Sequence, residues 1–238
     1  MKKLIYFVCF GERYKNFLNK CLYSLFNKGS YDGEVIIITH FKETDFFNYE
    51  KLNVINVKTE NDNITYYRNA KPKIHELVDL KNYDFVLYLD CDILINTNKI
   101  NNLIKEWSLN PNKIFIQKDI ISIKRNKPYC GSDVLSLEER QRHGDKAFNA
   151  GIIGASGFLF EKLCIMWNNK NKEHNYEKDD QGNLVFVIIK NFLDNIVYTN
   201  DTTITNRKND EYRTETILHF LTKSERAFYS YFDKYIKE

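Results

Sequence analysis

Residues 83–95, YDFVLYLDCDILI, constrain this chain more than any other stretch. Five consecutive apolar or aromatic residues, Phe85 to Leu89, run directly into two carboxylates one residue apart, Asp90 and Asp92. An apolar run of this length, without polar alternation, is the pattern of a strand buried on both faces inside a parallel sheet. Two carboxylates at close range repel each other, by roughly 4 kcal/mol at about 4 Å with an effective dielectric of about 20. A divalent cation would turn that repulsion into attraction, because hard cations take oxygen ligands of this kind. The cation would then hold a diphosphate at the carboxyl edge of the sheet, where open α/β folds bind their ligands. The alternative is a strand end whose acids cap a loop or pair with Lys and Arg. The tripeptide alone does not choose between the two.

Strand-like and helix-like segments alternate around this stretch. Leu4–Phe10, Glu34–Thr39, Asn53–Val57, Lys113–Gln117 and Asn195–Tyr198 read as strands. Helical patterns occupy Tyr14–Asn27, Pro72–Leu80, Asn96–Trp107, Phe158–Asn168 and a segment starting near Asp180, with an amphipathic Arg226–Ile236 last. This β-α-β order predicts an α/β fold with a mostly parallel central sheet flanked by helices. The polar region 118–146, broken by Pro128 and Gly131, is expected as loop and short helix over one edge of the site. Ile152 and Ile153 then re-enter the core. No composition break divides the 238 residues, so one domain is expected.

Charge and cysteines exclude several classes. Thirty-five basic and 32 acidic residues give a net charge of +3, too balanced for a nucleic-acid binder. Five scattered cysteines without a C-x-x-C pair fit reduced thiols in the cytoplasm and carry no zinc or redox signature. The opening MKKLIYFVCFGERYKN has an apolar stretch only from Leu4 to Phe10 and no small-residue cleavage site, so it reads as a first strand. No run approaches the ~18 apolar residues of a membrane span.

Four further clusters carry chemistry, each with a plain structural alternative. Lys73, with Ile74 and His75, lies on the segment feeding the acidic strand, where its ammonium would reach a phosphate; a solvated surface lysine is the alternative. Asn149, in Phe148-Asn149-Ala150-Gly151, would present its amide to ligand hydroxyls or simply make a turn. Asp180 and Gln181, in Asp179-Asp180-Gln181-Gly182, would meet a substrate or cap a helix. His219, flanked by Leu218 and Phe220, would be a third metal ligand beside Asp90 and Asp92 or a satisfied core histidine, with Lys223 and Arg226 following.

The order of these clusters resembles a known family. KIHELVDLKNYDFVLYLDCDIL resembles the core of glycogenin-like retaining glycosyltransferases, members of glycosyltransferase family 8 with a GT-A fold, in which a K-L-H helix leads into a D-x-D strand. FNAGI resembles the family's F-N-S-G-V, DDQGNL its D-Q-G-x-L, and HFLTKSERAF its closing H-F-x-G-x-x-K-P-W. The opening YFVCFGERYKNFLNKCLYSL fits the family's first strand and helix. Four motifs in family order span residues 73 to 228. The closing motif departs from the pattern: Thr222 replaces Gly, Arg226-Ala227-Phe228 replaces K-P-W, and one residue is inserted. A Cβ at Thr222 would keep ligand and backbone further apart than Gly does.

The resemblance implies a metal-dependent hexosyltransferase, with a nucleotide-binding half over 1–95 and a sugar and acceptor half over 96–238. Asp90, Asp92 and His219 would bind Mn²⁺, with Mg²⁺ as the alternative ion, bridging the diphosphate of UDP-glucose or UDP-galactose. Asp180, Gln181 and Lys73 would act in catalysis. Phe7, Tyr14, Lys73, Asp90, Cys91, Asp92 and Asn149 would form the donor site, with Ala150, Gly151, Asp180, Gln181, Lys223 and Arg226. The acceptor would be a hydroxyl of a glycan or a protein, and one of the 16 tyrosines would serve if the chain glycosylates itself as glycogenin does. Family members often dimerise, and the tail residues Phe228, Tyr229, Tyr231, Phe232 and Tyr235 offer a face either for a homodimer or for packing on the chain's own sheet. Rival readings are a GT-A transferase with a different donor or an inverting outcome, a nucleotidyltransferase, and a catalytically degenerate UDP-sugar-binding protein.

Overall fold

Alternation within the buried strands decides which side of the sheet each helix covers. The computed structural model describes residues 1–46, 49–57, 69–173, 180–199, 202–206, 210–220 and 224–237. In β1 (Lys3–Cys9), Ile5, Phe7 and Cys9 face one core layer, and Leu4 and Tyr6 the other. In β4 (Phe85–Leu89), Phe85, Leu87 and Leu89 face the first layer, and Val86 and Tyr88 the second. This is the two-residue period of a strand with both faces enclosed.

β1 pairs in parallel with β4 on one side and with β2 (Glu34–Thr39) on the other, and β2 pairs in parallel with β3 (Leu52–Asn56). Beyond β4 comes β7 (Ile152–Ala155), antiparallel to it, followed by β6 (Ile114–Ile116) and β8 (Ile196–Tyr198). The seven-stranded order is β3-β2-β1-β4-β7-β6-β8. The expected mostly parallel sheet is therefore present, with β7 as the one reversed strand. That reversal has a functional consequence: Ile152 pairs with Leu89, so the turn entering β7 lies beside the carboxyl end of β4.

A second sheet of three strands was not foreseen from the sequence. β5 (Ile93–Ile95) follows the two acids and pairs antiparallel with β10 (Ile217–Phe220), which runs parallel to β9 (Thr203–Asn206). Strands of three or four residues are too short to show a period.

One core layer is covered by α1 (Glu12–Tyr23), α3 (Ile100–Ser108) and α7 (Glu225–Tyr231). The other is covered by the short α2 (Ile74–Leu77), α5 (Gly157–Glu173) and α6 (Asp180–Asn191). α1 opens at Gly11 with φ +84°, carries Glu12 in its first turn and Lys20 in its last, and runs on into a π-type turn over Ser24–Lys28. Both charges complement the helix dipole. The Ser24 hydroxyl donates to the Cys21 carbonyl and accepts from the Ile95 amide, tying this turn to the second sheet. The expected Pro72–Leu80 helix is shorter: Pro72 sits in a tight 3₁₀ turn over Lys71–Lys73, and α2 ends before Val78. Region 118–146 is mainly irregular, as expected, with α4 (Leu137–Arg142) held by a Ser136/Glu139 capping box. The tail packs on its own core, with Phe228, Tyr231 and Phe232 buried and Phe228 edge-on to Phe17 at 4.8 Å. Among the described residues, no helix is long and apolar enough to cross a membrane.

Candidate active site

The carboxyl end of β4 delivers Asp90, Cys91 and Asp92 into a tight turn before β5. Two neighbours lock this turn. The Asp90 amide donates to the Gly151 carbonyl at 2.8 Å, and the Phe220 amide donates to the Asp92 carbonyl at 2.8 Å. The second bond belongs to the β5–β10 ladder, in which His219 sits opposite Ile93. The unforeseen small sheet thus carries His219 to the acids.

Asp90, Asp92 and His219 each offer a ligand atom within 4.8 Å of the other two. His219 Nε2 lies 3.4 Å from Asp92 Oδ1 and 3.9 Å from Asp90 Oδ2. On the far side of the ring, Nδ1 is 2.8 Å from Gln117 Oε1. A carbonyl oxygen only accepts, so Nδ1 carries the proton and Nε2 is the atom turned toward the carboxylates. Gln117 was read from sequence only as the end of a strand, and no local signal marks it. Burial drives the His219 pKa down, but Asp92 and Asp90 outweigh it and leave it raised. Burial pushes the Asp92 carboxyl up, and Asp90 adds to this, so it stays raised despite His219. Asp90 goes the other way: burial opposes its ionisation, yet Lys71 and His219 hold it below the usual carboxylate range.

Lys71 is the second residue that sequence reasoning missed. Its Nζ lies 3.2 Å from Asp90 Oδ1, 3.2 Å from Asp180 Oδ2 and 3.4 Å from the Ala150 carbonyl, and 5.2 Å above the Tyr88 ring. The Tyr6 hydroxyl donates to the Lys71 carbonyl at 3.0 Å, and the Tyr88 hydroxyl donates to Asp90 Oδ1. Burial disfavours the ammonium, but Asp180 and Asp90 outweigh that and raise its pKa. Lys73, the lysine singled out in the sequence, is half-buried at the end of the same turn, beyond Pro72.

Other expected residues converge on the same edge. Gly151 is required by close packing: a Cβ there would stand 2.5 Å from His219 Cε1, 2.7 Å from Asp90 Oδ2 and 2.9 Å from Asn149 Oδ1. Asn149 turns its Oδ1 back onto the Gly151 amide at 2.8 Å. Gln181 accepts from the Ala150 amide at 3.1 Å and donates to Asp119 and to the Tyr129 carbonyl, binding the turn before β7 to region 118–146. Asp180 is buried, and its carbonyl accepts from Trp167 Nε1 at 2.9 Å. Tyr14 is half-buried in the first turn of α1, just after β1.

Phe7 and Cys91 sit in the core beneath the turn: Phe7 is fully enclosed, and the Cys91 thiol donates to the Val8 carbonyl at 3.3 Å. Arg226 is exposed on α7, where its neighbour Glu225 pairs with Arg13 of α1 at 2.7 Å. Asp179, Thr222 and Lys223 lie outside the described residues.

The donor set fits a divalent cation. Two carboxylate oxygens and an oriented imidazole nitrogen converge, and the space before them is one that a single Cβ at Gly151 would fill. Charge agrees as well. Three carboxylic groups, Asp90, Asp92 and Asp180, gather around the single ammonium of Lys71, an acid excess that a divalent ion would offset.

This combination, a metal-competent acid turn at the carboxyl edge of a mixed seven-stranded sheet, is that of the GT-A glycosyltransferase fold. No protein-family model matches the chain. No curated protein matches it either. Among solved structures, the chain is similar to the galactosyltransferase LgtC in complex with donor and acceptor sugar analogues, at 14% identity over 99% of this chain and 97% of that one, with a TM-score of 0.65. An active-site glutamine-to-glutamate variant of LgtC matches at 13% identity over 95% and 94%, with a TM-score of 0.64. The bifunctional glycosyltransferase WbbM in its apo form matches at 12% identity over 98% of this chain and 50% of that one, with a TM-score of 0.65. Likeness at this level of identity fixes the fold, and the expected GT-A architecture holds.

Proposed function

We propose that this chain is a metal-dependent retaining glycosyltransferase that moves a hexose from a UDP-sugar to an acceptor hydroxyl. The observation that carries the reading is the convergence of Asp90, Asp92 and His219 on one point, with the buried carboxylate of Asp180 held next to Asp90 by Lys71. Those three ligands would hold Mn²⁺ or Mg²⁺, and an imidazole nitrogen in the set favours Mn²⁺. A cation there supplies Lewis-acid stabilisation of the diphosphate as it leaves.

The rest falls to the protein. Transfer breaks the bond between the anomeric carbon and the phosphate oxygen and forms one to the acceptor oxygen, while the acceptor proton passes to the departing phosphate. Positive charge builds on the sugar, and Asp180 is the carboxylate we assign to face it, as nucleophile or as electrostatic stabiliser. Lys73, Lys223 and Arg226 are the cations assigned to the diphosphate, and Tyr14 to the uracil. Asn149 and the short backbone at Ala150 and Gly151 border the sugar. Gln181 is assigned to hold that border in place through Ala150 and Asp119.

The neighbour described as a galactosyltransferase makes UDP-galactose the first donor to try, with UDP-glucose second. The purified chain is incubated with each donor, and UDP is measured with Mn²⁺, with Mg²⁺ and with excess chelator. The expected result is UDP release only when a divalent ion is present. Equal release in chelator overturns the metal reading; donor binding by calorimetry with no release under any condition leaves a sugar-nucleotide-binding protein instead. Proton NMR of the first product distinguishes retention from inversion, and intact mass after incubation reveals hexoses added to the chain itself.

A further inference from the structure

Lys71 is placed as few lysines are. Its side chain is 13% exposed, and its ammonium forms ion pairs with Asp90 Oδ1 and Asp180 Oδ2 and donates to the Ala150 carbonyl. An ammonium withdrawn from water in this way is costly unless it is paired, and here two carboxylates flank it. Its backbone is fixed too, by Tyr6 from β1.

The two oxygens of Asp90 are divided between different tasks. Oδ1 takes the Lys71 ammonium and the Tyr88 hydroxyl. Oδ2 faces His219 and the space beside Gly151. Lys71 therefore occupies the back of the carboxylate whose front belongs to the candidate cation site. From there it reaches Asp180, the carboxylate at the start of α6, and joins two acids that lie 90 residues apart in the sequence.

We propose that Lys71 is a positioning residue that couples the cation site to Asp180, setting the direction of both carboxylates at the expense of cation affinity. The inference rests on the reading of Asp90, Asp92 and His219 as metal ligands. Its logic is electrostatic. The ammonium shares Asp90 with the cation, so two positive charges compete for the same carboxylate. In exchange, Asp180 is held at the distance from Asp90 that one ammonium spans. Removing the ammonium frees Asp90 of the competing charge and takes away the link between Asp90 and Asp180.

The consequence is a pair of effects of opposite sign, which a merely structural lysine would not give. In Lys71→Met, calorimetric Mn²⁺ affinity is expected to tighten, on the order of three- to tenfold, as the competing charge disappears. Turnover of the donor should fall on the order of tenfold or more, in kcat rather than KM, because Asp180 is no longer held in place. Lys71→Arg, which keeps the charge, should return Mn²⁺ affinity to near the wild-type value. Lys71→Gln is the second neutral variant if Lys71→Met does not fold, with thermal melting as the check.

A neutral variant that folds and binds Mn²⁺ equally well or more weakly overturns the coupling, whatever its turnover. Tighter Mn²⁺ binding with unchanged turnover overturns the positioning of Asp180. A wild-type chain that binds no Mn²⁺ overturns the metal reading itself, and this inference falls with it.

Discussion

Strand β7 has a glycine close to each end, and the two glycines answer to different demands. At the carboxyl edge of the sheet, a Cβ on Gly151 would press on side chains that do chemistry: the His219 ring, the Asp90 carboxylate and the Asn149 amide. At the opposite edge, a Cβ on Gly157 would stand 1.9 Å from the Leu80 carbonyl oxygen and 2.5 Å from that of Tyr83, both of them backbone. Charges divide in the same way. At the carboxyl edge, Lys71, Asp92 and Asp180 are enclosed and cross-linked by strands and helices distant in sequence. At the other edge, Lys81 pairs with Glu161 at 3.0 Å with the lysine 58% exposed, and Lys2 pairs with Glu34 at 3.7 Å with the lysine 51% exposed. Burying charge is expensive and exposing it is nearly free. The opposite edge buries Lys3 beside the exposed Asp32, so what sets the carboxyl edge apart is its buried carboxylates, Asp92 and Asp180.

The sharpest way to break this contrast is to remove an acid. Asp92→Ala should lower divalent-dependent UDP release by roughly 10²-fold or more, since the cation loses one of three ligands. Release at the wild-type rate would reduce the acid turn to a capped strand end, the alternative that the D-x-D tripeptide left open.

The two glycines provide the next test. Gly151→Ala should cost roughly 1–3 kcal/mol of stability, as overpacking does, and weaken Mn²⁺ binding on the order of tenfold, because His219 and Asp90 must both move. Gly157→Ala should cost more stability, because backbone gives way less readily than side chains, while Mn²⁺ affinity stays within about twofold. Calorimetry and thermal melting on both variants read this directly. If the two lose Mn²⁺ affinity alike, the edges are not functionally distinct.

Gln117 gives a smaller, purely local effect. Gln117→Leu keeps much of the volume and removes the acceptor that orients His219, so Mn²⁺ affinity should drop by about tenfold with little change in fold. An unchanged affinity would mean that the β5–β10 ladder alone aims the ring.

How much of this was legible in the sequence follows from how far each contact reaches. β4 and its acids were visible because a buried strand and its end are local patterns, and His219, Asn149, Asp180 and Gln181 through the order of their motifs. Lys71 was passed over while Lys73, two residues away, was singled out, because the two lie in a 3₁₀ turn around Pro72 whose facing a helical reading does not give. Gln117 was missed because its partner lies 102 residues further on. The reversal of β7, which brings Gly151 to Asp90, and the small sheet that lifts His219 are pairings between segments, and four-residue strands announce neither partner nor direction.

The smallest effect belongs to a surface pair and completes the contrast. The Lys190 ammonium beside Glu139, with the Ser136 amide donating to it at 2.8 Å, holds the Glu139 carboxyl down at about 2 against an ordinary 4.5. A folded-state pKa below the unfolded one means that the stabilisation is complete above about pH 4.5 and is lost as pH falls toward 2. Glu139 and Lys190 are both partly in solvent, so screening leaves roughly 0.5 kcal/mol or less, about 1–2 °C in melting temperature for a chain of this size. Glu139→Gln retains a side-chain oxygen for the capping box, so it isolates the charge from the cap. It should melt slightly lower than wild type at pH 7, with the gap closing near pH 2 and shrinking in high salt. A gap that ignores both pH and salt would place the stabilisation in the capping box. The ion pair would then add nothing at the surface, while the buried pairs around Lys71 govern the site.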